Sequence, residues 1–510
     1  MNMSDTTDYT EIERTRLQKL IQLREKGIEP FPARVERSHT SVEAIQAFEA
    51  NESKKSTEPV QVTVVGRIRS IRLMGKLIFA HIEDGYGRLQ LFLRADELGQ
   101  EALDDFRDYH DLGDFVQASG EMFRTKSGEV SVKVTALQMI AKAITPLPAA
   151  KDEEVAGEVV RHATLTDPET RYRQRYADLA VNPQVREVFR VRAAIVRALR
   201  EFLDSHDFLE VETPVLQPVY GGAAARPFTT YHNQLKQDLY LRISFELYLK
   251  RLLVGGLERV YEIGRDFRNE GVDRKHNPEF TMLEFYMAYA DYQRVMEFTE
   301  EMLQFTGKQV LGGSKFTYQG NEINLSSQWP RLELKDAVLE FAGIDLEQHP
   351  DSRSLAAAME AKKYNVPPGA SHGKMIDDLV GAVVEPKLIQ PAFIFNYPRE
   401  ISPLAKSRPG DPQIVERFEG FIGGFEICNA FSELNDPLDQ QARFDEMAGS
   451  LKADDEDLHP QDEDYLRAMR YGMPPNGGFG MGIDRLTMLF TDQPNIREVI
   501  LFPHLRKREE

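Results

Sequence analysis

The pattern of apolar and polar positions changes character along the chain, and each change predicts a different kind of structure. Residues 9–26 are highly charged with their apolar side chains loosely on one side, which predicts a helix that ends before Gly27. Residues 60–140 contain five short runs in which apolar and polar residues alternate, separated by glycine-containing turns. Helical patterns follow over residues 184–206, and mixed strands and helices continue to the C-terminus. The chain therefore combines a small all-β region with a larger mixed region.

The five alternating runs predict a small β-barrel. Five strands in so short a region are typical of the OB-fold, which often binds oligonucleotides on its sheet face. Residues 144–158 carry Pro, Ala and acidic residues without periodicity, which indicates a linker. We therefore expect an N-terminal helical extension (1–58), an OB-fold barrel (59–145), a linker (146–180) and a large α+β domain (181–510).

The composition narrows the class of protein. The chain has 510 residues, 41% hydrophobic and 28% charged, as is usual for soluble multidomain proteins. The N-terminus has no secretory signal pattern, no apolar run is long enough to span a membrane, and the single cysteine, Cys428, cannot form an internal disulfide. We therefore expect a cytoplasmic protein without a membrane partner. The net charge of −19 argues only weakly against nucleic acid, because a local basic face is enough to bind phosphates.

The segment 258–292 mixes charged and aromatic residues in a pattern that predicts a long hairpin. Alternation places Arg268 on one face of the first strand, and Phe280, Glu284 and Tyr286 on one face of the second. Arginine binds phosphate or carboxylate bidentately, an aromatic ring stacks on a base, and a glutamate pairs with a cation. The pattern favours a site for a nucleotide and an ammonium group. The alternative is a strand pair whose polar face is solvated.

A second hairpin is predicted over residues 418–436, with glycines 423–424 as its two-residue turn. In the expected register Glu419 lies opposite Cys428, and Glu419 and Glu426 share one face of the sheet. Paired carboxylates suit Mg²⁺, which takes further ligands from substrate phosphates. The alternative is two acidic side chains on a solvated face.

Regular alternation along this second hairpin separates residues that a single site would need together. It places Asn429 and Glu433 on the opposite face from Glu426. A common site for all three requires a bulge or a bend in the strand, and the sequence does not mark one.

The segment 477–491 contains closely spaced glycines followed by a helical pattern. Glycine permits close approach of the backbone, and Asp484 then opens a helix that carries Arg485. Arg485 beside a glycine-rich backbone suits a phosphate group, and the alternative is an ordinary tight turn. The large domain has neither a G-x-x-x-x-G-K-[ST] loop nor the strand–helix rhythm of a doubly wound sheet. Any nucleotide must therefore bind in another way.

Several strings of residues resemble the signature motifs of class II aminoacyl-tRNA synthetases. FLEVETPVL (208–216) is similar to motif 1, FRNEG and HNPEFTMLEFY (267–286) to motif 2, and GFGMGIDRL (478–486) to motif 3. Within that class the chain resembles the lysyl-tRNA synthetases of the bacterial type, through GGAAARPF (221–228), FELYLKRLLVGG (245–256) and NAFSELNDP (429–437). The resemblance covers residues from about 10 to about 505.

The resemblance implies a fold and a reaction. The implied fold is a six-stranded antiparallel catalytic sheet with flanking helices, preceded by an anticodon-binding OB barrel, in a homodimer formed through motif 1. The implied reaction is activation of L-lysine by ATP to lysyl-adenylate, with Mg²⁺ bound together with ATP. The lysyl group is then transferred to the terminal adenosine of tRNA(Lys).

The same resemblance implies the residues that bind ATP. Arg268 would hold the α-phosphate, Glu270 the adenine amino group and His276 the polyphosphate. Phe280 and Arg485 would stack on the two faces of adenine. Arg268 and Arg485 would also be the catalytic residues, because the reaction needs positioning and charge stabilisation rather than an enzyme nucleophile.

The resemblance also implies residues for the amino acid and the metal. The ε-ammonium of lysine would meet Glu284, Tyr286 and Glu433. The α-amino group would meet Gly222 and Glu246, and Asn429 would lie near the carboxylate. Glu419 and Glu426 would bind the Mg²⁺ that bridges the phosphates.

In the barrel the resemblance implies that Phe79, Gln90 and Glu129 bind the anticodon. An exposed aromatic ring stacks on a splayed base, while Gln and Glu read its hydrogen-bonding edge. Arg72, together with two neighbouring arginines at 67 and 69, is available for phosphates. The alternative for Phe79 is a residue of the barrel core.

One position departs from the family pattern. Lys275 stands where the family often has arginine, and lysine keeps the charge but lacks the planar fork. Two rival functions are a lysine ligase that modifies a protein, whose paralogues lack the barrel, and a non-catalytic regulatory protein descended from a synthetase. Cys428 is predicted to be a small buried residue rather than a nucleophile, because the sequence places no base beside it.

Overall fold

A computed structural model describes residues 9–148, 151–155, 158–162, 165–326, 328–450 and 460–507. The chain divides into two units, one of residues 1–167 and 176–181 and the other of residues 168–175 and 182–510. The first eight residues of the predicted extension, and residues 149–150, 156–157 and 163–164 of the predicted linker, lie outside the described ranges. No helix in the described part of the chain is long and apolar enough to cross a membrane.

The first unit contains two helices followed by the predicted barrel. Both helices begin with a capping box, formed by Thr10 with Glu13 and by Thr40 with Glu43. Each pair of side chains accepts hydrogen bonds from backbone N–H groups that have no partner within the helix. The elements are α1 (Glu11–Glu25), α2 (Ser41–Ser53), β1 (Gln61–Met74), β2 (Leu77–Glu83), β3 (Arg88–Arg94), α3 (Ala95–Leu98), α4 (Gln100–Tyr109), β4 (Phe115–Arg124) and β5 (Val130–Ala141).

The five strands close into a barrel in the order β1-β2-β3-β5-β4, with only the β3–β5 pair parallel. Alternate residues point inward, so that Ile78, Ala80 and Ile82 of β2 are buried in the core. The residues between them, including Phe79 and His81, lie on the outer face. The predicted five-stranded barrel is confirmed, and Phe79 does not belong to its core.

The segment after the barrel holds a two-stranded sheet of β6 (Lys151–Val155) and β7 (Glu158–His162). The helices that follow are α5 (Pro168–Arg173), α6 (Arg175–Val181), α7 (Pro183–Asp204), α8 (Glu246–Val254), α9 (Tyr292–Leu311), α10 (Leu334–Ala342), α11 (Ser352–Ala361), α12 (His372–Leu379), α13 (Pro437–Ser450), α14 (Glu463–Arg470) and α15 (Ile483–Phe490). The strands are β8 (Leu209–Glu210), β9 (Leu216–Gln217), β10 (Thr229–His232), β11 (Gln237–Leu241), β12 (Arg259–Phe267), β13 (Glu279–Ala288), β14 (Lys315–Tyr318), β15 (Asn321–Asn324), β16 (Arg331–Glu333), β17 (Ala392–Pro398), β18 (Ser407–Arg408), β19 (Asp411–Ile422), β20 (Phe425–Ser432) and β21 (Asn476–Gly482).

The second unit is built on one large sheet with the order β16-β17-β19-β20-β21-β13-β12-β8. The strands from β17 to β12 are antiparallel, whereas the short edge strands β16 and β8 run parallel to their neighbours. This arrangement confirms the predicted six-stranded antiparallel sheet and adds the short edge strands. Helices α7, α9 and α15 pack on one face over a large apolar core, in which Phe285 and Phe479 stack with ring centroids 4.7 Å apart. The polar side chains of the same strands are left on the other face.

A bulge in the β19–β20 hairpin corrects the register expected from the sequence. Its two-residue turn has φ of 67° at Gly423 and 82° at Gly424, which favours glycine at both positions. Beyond the turn the pairing shifts by one residue, so that Glu419 lies opposite Asn429 and not opposite Cys428. The expected Glu419–Cys428 pairing is therefore wrong, because Ile427 is an extra residue in β20.

The glycine-rich segment does not form the ordinary tight turn that was the alternative to a phosphate-binding segment. Residues 476–482 form β21, a strand in the middle of the large sheet, which pairs with β20 on one side and β13 on the other. Arg485 follows in the first turn of α15. Glycine is unusual inside a strand and marks a place where another group approaches the backbone closely.

Candidate active site

The polar face of the large sheet forms the floor of a cavity of about 430 Å³. All the residues predicted for ATP, lysine and metal line this one cavity. They are Gly222, Glu246, Arg268, Glu270, His276, Phe280, Glu284, Tyr286, Glu419, Glu426, Asn429, Glu433 and Arg485. The structure therefore brings together residues that are up to about 260 positions apart in the sequence.

The bulge in β20 is what allows residues of that strand to share the cavity. Because Ile427 is extra, Glu426 and Asn429 lie on the same face, and Glu419 lies across from Asn429. Glu433 follows the end of the strand and is fully enclosed, with 1% of its surface exposed. The bend that the sequence required but did not mark is this single inserted residue.

One end of the cavity concentrates three buried carboxylates, Glu246, Glu284 and Glu433. Glu284 on β13 accepts hydrogen bonds from the Ser244 hydroxyl at 2.8 Å and, on its other oxygen, from the Tyr286 hydroxyl at 3.2 Å. These bonds fix the orientation of the Glu284 carboxylate. An enclosed group of carboxylates beside a tyrosine ring is suited to bind a ligand with ammonium groups.

Burial disfavours ionisation of these carboxylates in the absence of a cation. Burial, reinforced by the charges of Asp266 and Glu246, raises the pKa of Glu284 to about 8. Burial also raises the pKa of Glu246 and raises that of Glu433 well above its usual range. A cation entering this end of the cavity would restore the ionised forms, which is the behaviour expected of a functional site.

A buried lysine that the sequence did not reveal stands behind this end of the cavity. The Lys250 ammonium is 2.6 Å from Glu246 Oε1 and forms a second ion pair with Glu433. Lys250 follows Glu246 by one helical turn on α8, and this i, i+4 spacing indicates the ion pair between them but not the burial of the lysine. Its side chain has no exposed surface, and it is not among the residues that line the cavity.

The other end of the cavity contains cationic side chains and an aromatic ring. The Arg268 guanidinium lies 5.1 Å from the centre of the Phe280 ring. The Arg485 guanidinium donates to the Glu426 carboxylate at 2.9 Å and lies 3.3 Å from His276 Nε2. Two arginines, a histidine and an exposed ring face are the groups that bind a nucleotide with its phosphates.

Between the two ends lies the pair Glu419 and Glu426. Glu419 is held by the Arg417 guanidinium at 2.6 Å and by the Tyr397 hydroxyl at 2.8 Å. Burial, opposed by Arg417 and reinforced by Glu426, raises the pKa of Glu419 to about 7. Arg417 also donates to the Asn429 side chain at 2.9 Å, so that it fixes residues of both predicted sites.

Glycines at the cavity-facing positions of β21 keep the floor of the cavity open. A Cβ atom built on Gly478 would collide with the Glu433 carboxylate and with the Tyr286 ring. A Cβ on Gly480 would lie 3.3 Å from Met282 Cε and 3.7 Å from Glu284 Cγ. Glycine in this strand therefore makes room for a ligand and for the side chains that surround it.

Lys275, at the position where the family often has arginine, lies at the rim of the cavity. Its ammonium forms an ion pair with Glu385, and it lies 5.7 Å from the Phe425 ring. The neighbouring His276 is oriented by Asp273, whose carboxylate is 2.8 Å from Nδ1. Cys428, by contrast, is buried as predicted, and burial raises the pKa of its thiol well above the usual range.

In the barrel, the residues predicted to contact the anticodon lie on the outer face, with Arg72, Phe79 and Gln90 in β1, β2 and β3 and Glu129 immediately before β5. Phe79 packs against Phe92 in a tilted arrangement, with ring centroids 5.3 Å apart. Glu129 accepts from Gln90 Nε2 at 2.6 Å and lies 2.7 Å from His81 Nε2. Phe92 and His81 were not predicted as site residues, although strand alternation places them on the same face as Phe79 and Gln90.

The three barrel arginines do not share the same role. Arg72 is exposed and lies opposite Phe79 in the strand register. Arg67 packs on the Phe115 ring at 4.3 Å, and Arg69 forms an ion pair with Glu83 at 2.9 Å with little exposed surface. The expectation that all three arginines face phosphates is thus supported by the geometry for Arg72 only.

Comparison with known families gives the class of protein to which this architecture corresponds. Residues 167–506 match the model of class II tRNA synthetases (D, K and N). Residues 62–140 match the model of the OB-fold nucleic acid binding domain. Together the two matches define a class II tRNA synthetase with an N-terminal nucleic acid-binding barrel.

Comparison with individual proteins narrows the class. The chain is 52% identical to the lysine–tRNA ligase of Chloroflexus aurantiacus, over 99% of this chain and 100% of that protein. It is 52% identical to the lysine–tRNA ligase of Roseiflexus castenholzii, over 98% and 100% of the two chains. It is 49% identical to that of Moorella thermoacetica, over 97% and 98%. The chain belongs to the lysine–tRNA ligase family of class II synthetases.

Proposed function

We propose that this protein activates L-lysine with ATP and transfers the lysyl group to tRNA(Lys). The observation that carries the proposal is the arrangement of one cavity, with three buried carboxylates at one end and Arg268, Phe280 and Arg485 at the other. A substrate with two ammonium groups suits the first end, and ATP suits the second. The family relationship supports the same assignment.

In the proposed complex, lysine lies with its side chain toward Glu284, Tyr286 and Glu433. Its α-amino group meets Glu246 and the backbone at Gly222, and its carboxylate lies near Asn429 and points toward the nucleotide end. Enclosure by buried carboxylates makes each ion pair stronger than in water, because few water molecules compete.

The chemistry follows from this orientation. A carboxylate oxygen of lysine attacks the α-phosphorus of ATP, the bond to the β-phosphate oxygen breaks, and pyrophosphate leaves. A ribose hydroxyl of the terminal tRNA adenosine then attacks the lysyl carbonyl carbon, and AMP leaves. Arg268 neutralises charge at the α-phosphate, Arg485 neutralises charge on the departing pyrophosphate, and His276 helps to hold the polyphosphate. Phe280 fixes adenine by stacking, so that catalysis rests on positioning.

The carboxylates Glu419 and Glu426 fit the Mg²⁺ that this chemistry uses. They share a face of the β19–β20 hairpin and line the cavity between its two ends. Two carboxylates complemented by phosphate oxygens are the usual environment of Mg²⁺, and no group of three potential metal ligands occurs among the described residues. When bound, the ion would neutralise phosphate charge, and Arg417 and Tyr397 would hold Glu419 in place for it.

For tRNA, we propose that the outer face of the barrel binds the anticodon through Phe79, Gln90, Glu129 and Arg72. The half-buried Phe79 ring offers a face for stacking, and Gln90 and Glu129 form a hydrogen-bonded pair able to read a base edge. We further propose that the protein acts in the cytoplasm.

We also propose that the active form is a homodimer. The motif 1 region has apolar side chains at the surface, with Leu209 51%, Val215 40% and Leu216 49% exposed. Leu209 lies in β8, an edge strand of the large sheet whose outer side is open to pairing. Exposed apolar residues beside an open edge strand favour a symmetric interface with a second copy.

The two rival functions receive less support. The barrel is closed and complete, whereas the protein-modifying paralogues lack it. Arg268, Arg485, Glu419 and Glu426 all line the cavity, whereas a non-catalytic descendant would be free to lose them. The decisive test is lysine-dependent ATP–pyrophosphate exchange followed by charging of an unfractionated tRNA pool. Absence of exchange with any amino acid would overturn the proposed function.

A further inference from the structure

Lys250 is a buried cation to which the reaction described above gives no role. Its ammonium lies between two carboxylates, 2.6 Å from Glu246 and in an ion pair with Glu433. The rings of Phe431 and Tyr286 lie 5.4 and 6.0 Å from the ammonium. A buried lysine without partners would lose its proton, but here the two carboxylates raise the pKa of Lys250 above its usual range although burial opposes them. Lys250 is thus a permanent positive charge inside the wall of the cavity.

We propose that Lys250 is a positioning residue that adapts the cavity to an amino acid with two ammonium groups, by holding Glu246 and Glu433 at a fixed separation and neutralising one carboxylate charge. This inference rests on the proposed function, because it takes lysine as the ligand. The inference goes beyond the proposed function because it gives a specificity role to a residue that does not touch the substrate.

The charges support the proposal. Glu246, Glu284 and Glu433 would give this end of the cavity a formal charge of −3 if all were ionised, and Lys250 reduces it to −2. A charge of −2 matches the α- and ε-ammonium groups of lysine. Without Lys250 the enclosure would hold an excess carboxylate, and an uncompensated buried charge is strongly unfavourable.

The position of Lys250 supports the same role. Glu246 begins helix α8 and Glu433 follows strand β20, so that the two carboxylates come from elements almost two hundred residues apart in the sequence. In the proposed complex they meet opposite ends of lysine. One ammonium that bridges both therefore sets the distance between the two recognition points, and this distance is what distinguishes lysine from its shorter homologue ornithine.

The test is the variant Lys250→Met, which keeps an unbranched apolar stem but removes the ammonium group and its charge. We expect the lysine KM in pyrophosphate exchange to rise about tenfold or more, with kcat at saturating lysine and the ATP KM within about threefold of wild type. We also expect the ratio of kcat/KM for lysine over ornithine to fall at least about threefold, because the spacing is no longer fixed. A merely structural role would not change this ratio.

Lys142 provides a matched control. It is also fully buried and pairs with two carboxylates, Asp111 and Asp114, but it belongs to the barrel unit. Lys142→Met should lower stability without changing the lysine KM or the ornithine ratio. If both variants behave alike in these assays, the proposal is wrong.

A second variant covers the case in which Lys250→Met does not fold. Lys250→Gln retains a hydrogen-bond donor for the carboxylates, and we expect the same rise in lysine KM with a smaller loss of thermal stability. Unchanged lysine kinetics in a folded variant, or failure of both variants to fold, would make Lys250 a stability residue and overturn the inference. Absence of exchange in the wild-type protein would instead overturn the proposed function.

Discussion

Replacing Glu284 by glutamine tests the lysine end of the cavity most directly. Glutamine keeps the shape of the side chain, but its one amide oxygen can accept from only one of Ser244 and Tyr286, which donate to different oxygens of Glu284 at 2.8 and 3.2 Å. Its NH2 group can donate to the oxygen of the other hydroxyl, so that the charge is lost while both neighbours keep a hydrogen-bond partner. We expect a higher lysine KM and a lower kcat/KM, with the ATP KM nearly unchanged because Arg268 and Phe280 lie at the other end.

The expected loss of kcat/KM follows from two opposing contributions to the free energy of lysine binding. Removing one partner of a buried ion pair costs about 3–5 kcal/mol. Burial raises the pKa of Glu284 to about 8 in the free protein, so that ionising it at pH 7 already costs about 1.4 kcal/mol before lysine binds. The remaining advantage of the carboxylate is roughly 2–4 kcal/mol, which corresponds to about a 30- to 700-fold loss of kcat/KM for lysine.

The assay is lysine-dependent pyrophosphate exchange, with lysine varied at saturating ATP and then ATP varied at saturating lysine. Glu262→Gln is the matched control, since Glu262 lies directly opposite Glu284 on the neighbouring strand and is also buried. Glu262 pairs with Arg242 and does not line the cavity, so that its variant should lose stability but keep its lysine KM. Near-normal lysine kinetics in Glu284→Gln would refute the assignment of Glu284 to the ammonium.

The same carboxylate predicts a pH dependence of lysine binding. Below pH 8 the Glu284 side chain holds a proton in the free protein, and an incoming ammonium favours its ionised form, so that lysine binding releases a proton. The affinity for lysine should therefore rise with pH up to about 8, by as much as about tenfold per pH unit for one proton. Calorimetry in buffers of different ionisation enthalpy measures this release. The slope should be smaller in Glu284→Gln, and an equal slope in both proteins would contradict the explanation.

Three further predictions address the barrel, the metal and the assembly. Phe79→Ala should raise the tRNA KM for charging about 5- to 150-fold through loss of base stacking while exchange stays near normal, and equal damage to both would reject an anticodon role. Glu426→Gln should raise the Mg²⁺ concentration needed for half-maximal exchange about tenfold or more, with the lysine KM little changed; an unaltered Mg²⁺ requirement would remove Glu426 from the metal site. Light scattering should give twice the chain mass of 58.2 kDa at micromolar concentration, and Leu216→Glu should shift it toward the monomer; a monomeric wild-type protein would refute the dimer.

The sequence predicted the elements whose patterns are local. Strand alternation placed the barrel and both hairpins, and the β12–β13 face holds Phe280, Glu284 and Tyr286 together as expected. Where a local pattern has two structural solutions, the sequence left both open or indicated the wrong one. Glycines spaced at two residues suit a tight turn as well as close approach of the backbone, and only pairing with β13 and β20 makes them a central strand. The Glu419 partner was wrong because Ile427 has nothing in its own side chain that marks a bulge.

Other features depend on distant parts of the chain and could not be predicted from local patterns. A lysine on a helix is usually solvated, and Lys250 is buried only because Glu433, far along the sequence, reaches it. Arg69 has the sequence context of an exposed strand residue, but Glu83 on the next strand holds it in an ion pair. Ion pairing between distant residues depends on the tertiary structure and cannot be predicted from hydrophobic periodicity.

The extra residue in β20 sets the spacing of the active-site residues along that strand. Side chains of a strand alternate between the apolar core and the cavity, but at the bulge Ile427 and Cys428 are buried in succession. With Ile427 present, regular pairing would turn Cys428 toward the cavity and Asn429 toward the core. Deleting Ile427 would instead remove the bulge and leave Glu426 and Asn429 two residues apart on the cavity face. The spacing of three residues between Glu426 and Asn429 is therefore compatible with one site only because the bulge absorbs one of them.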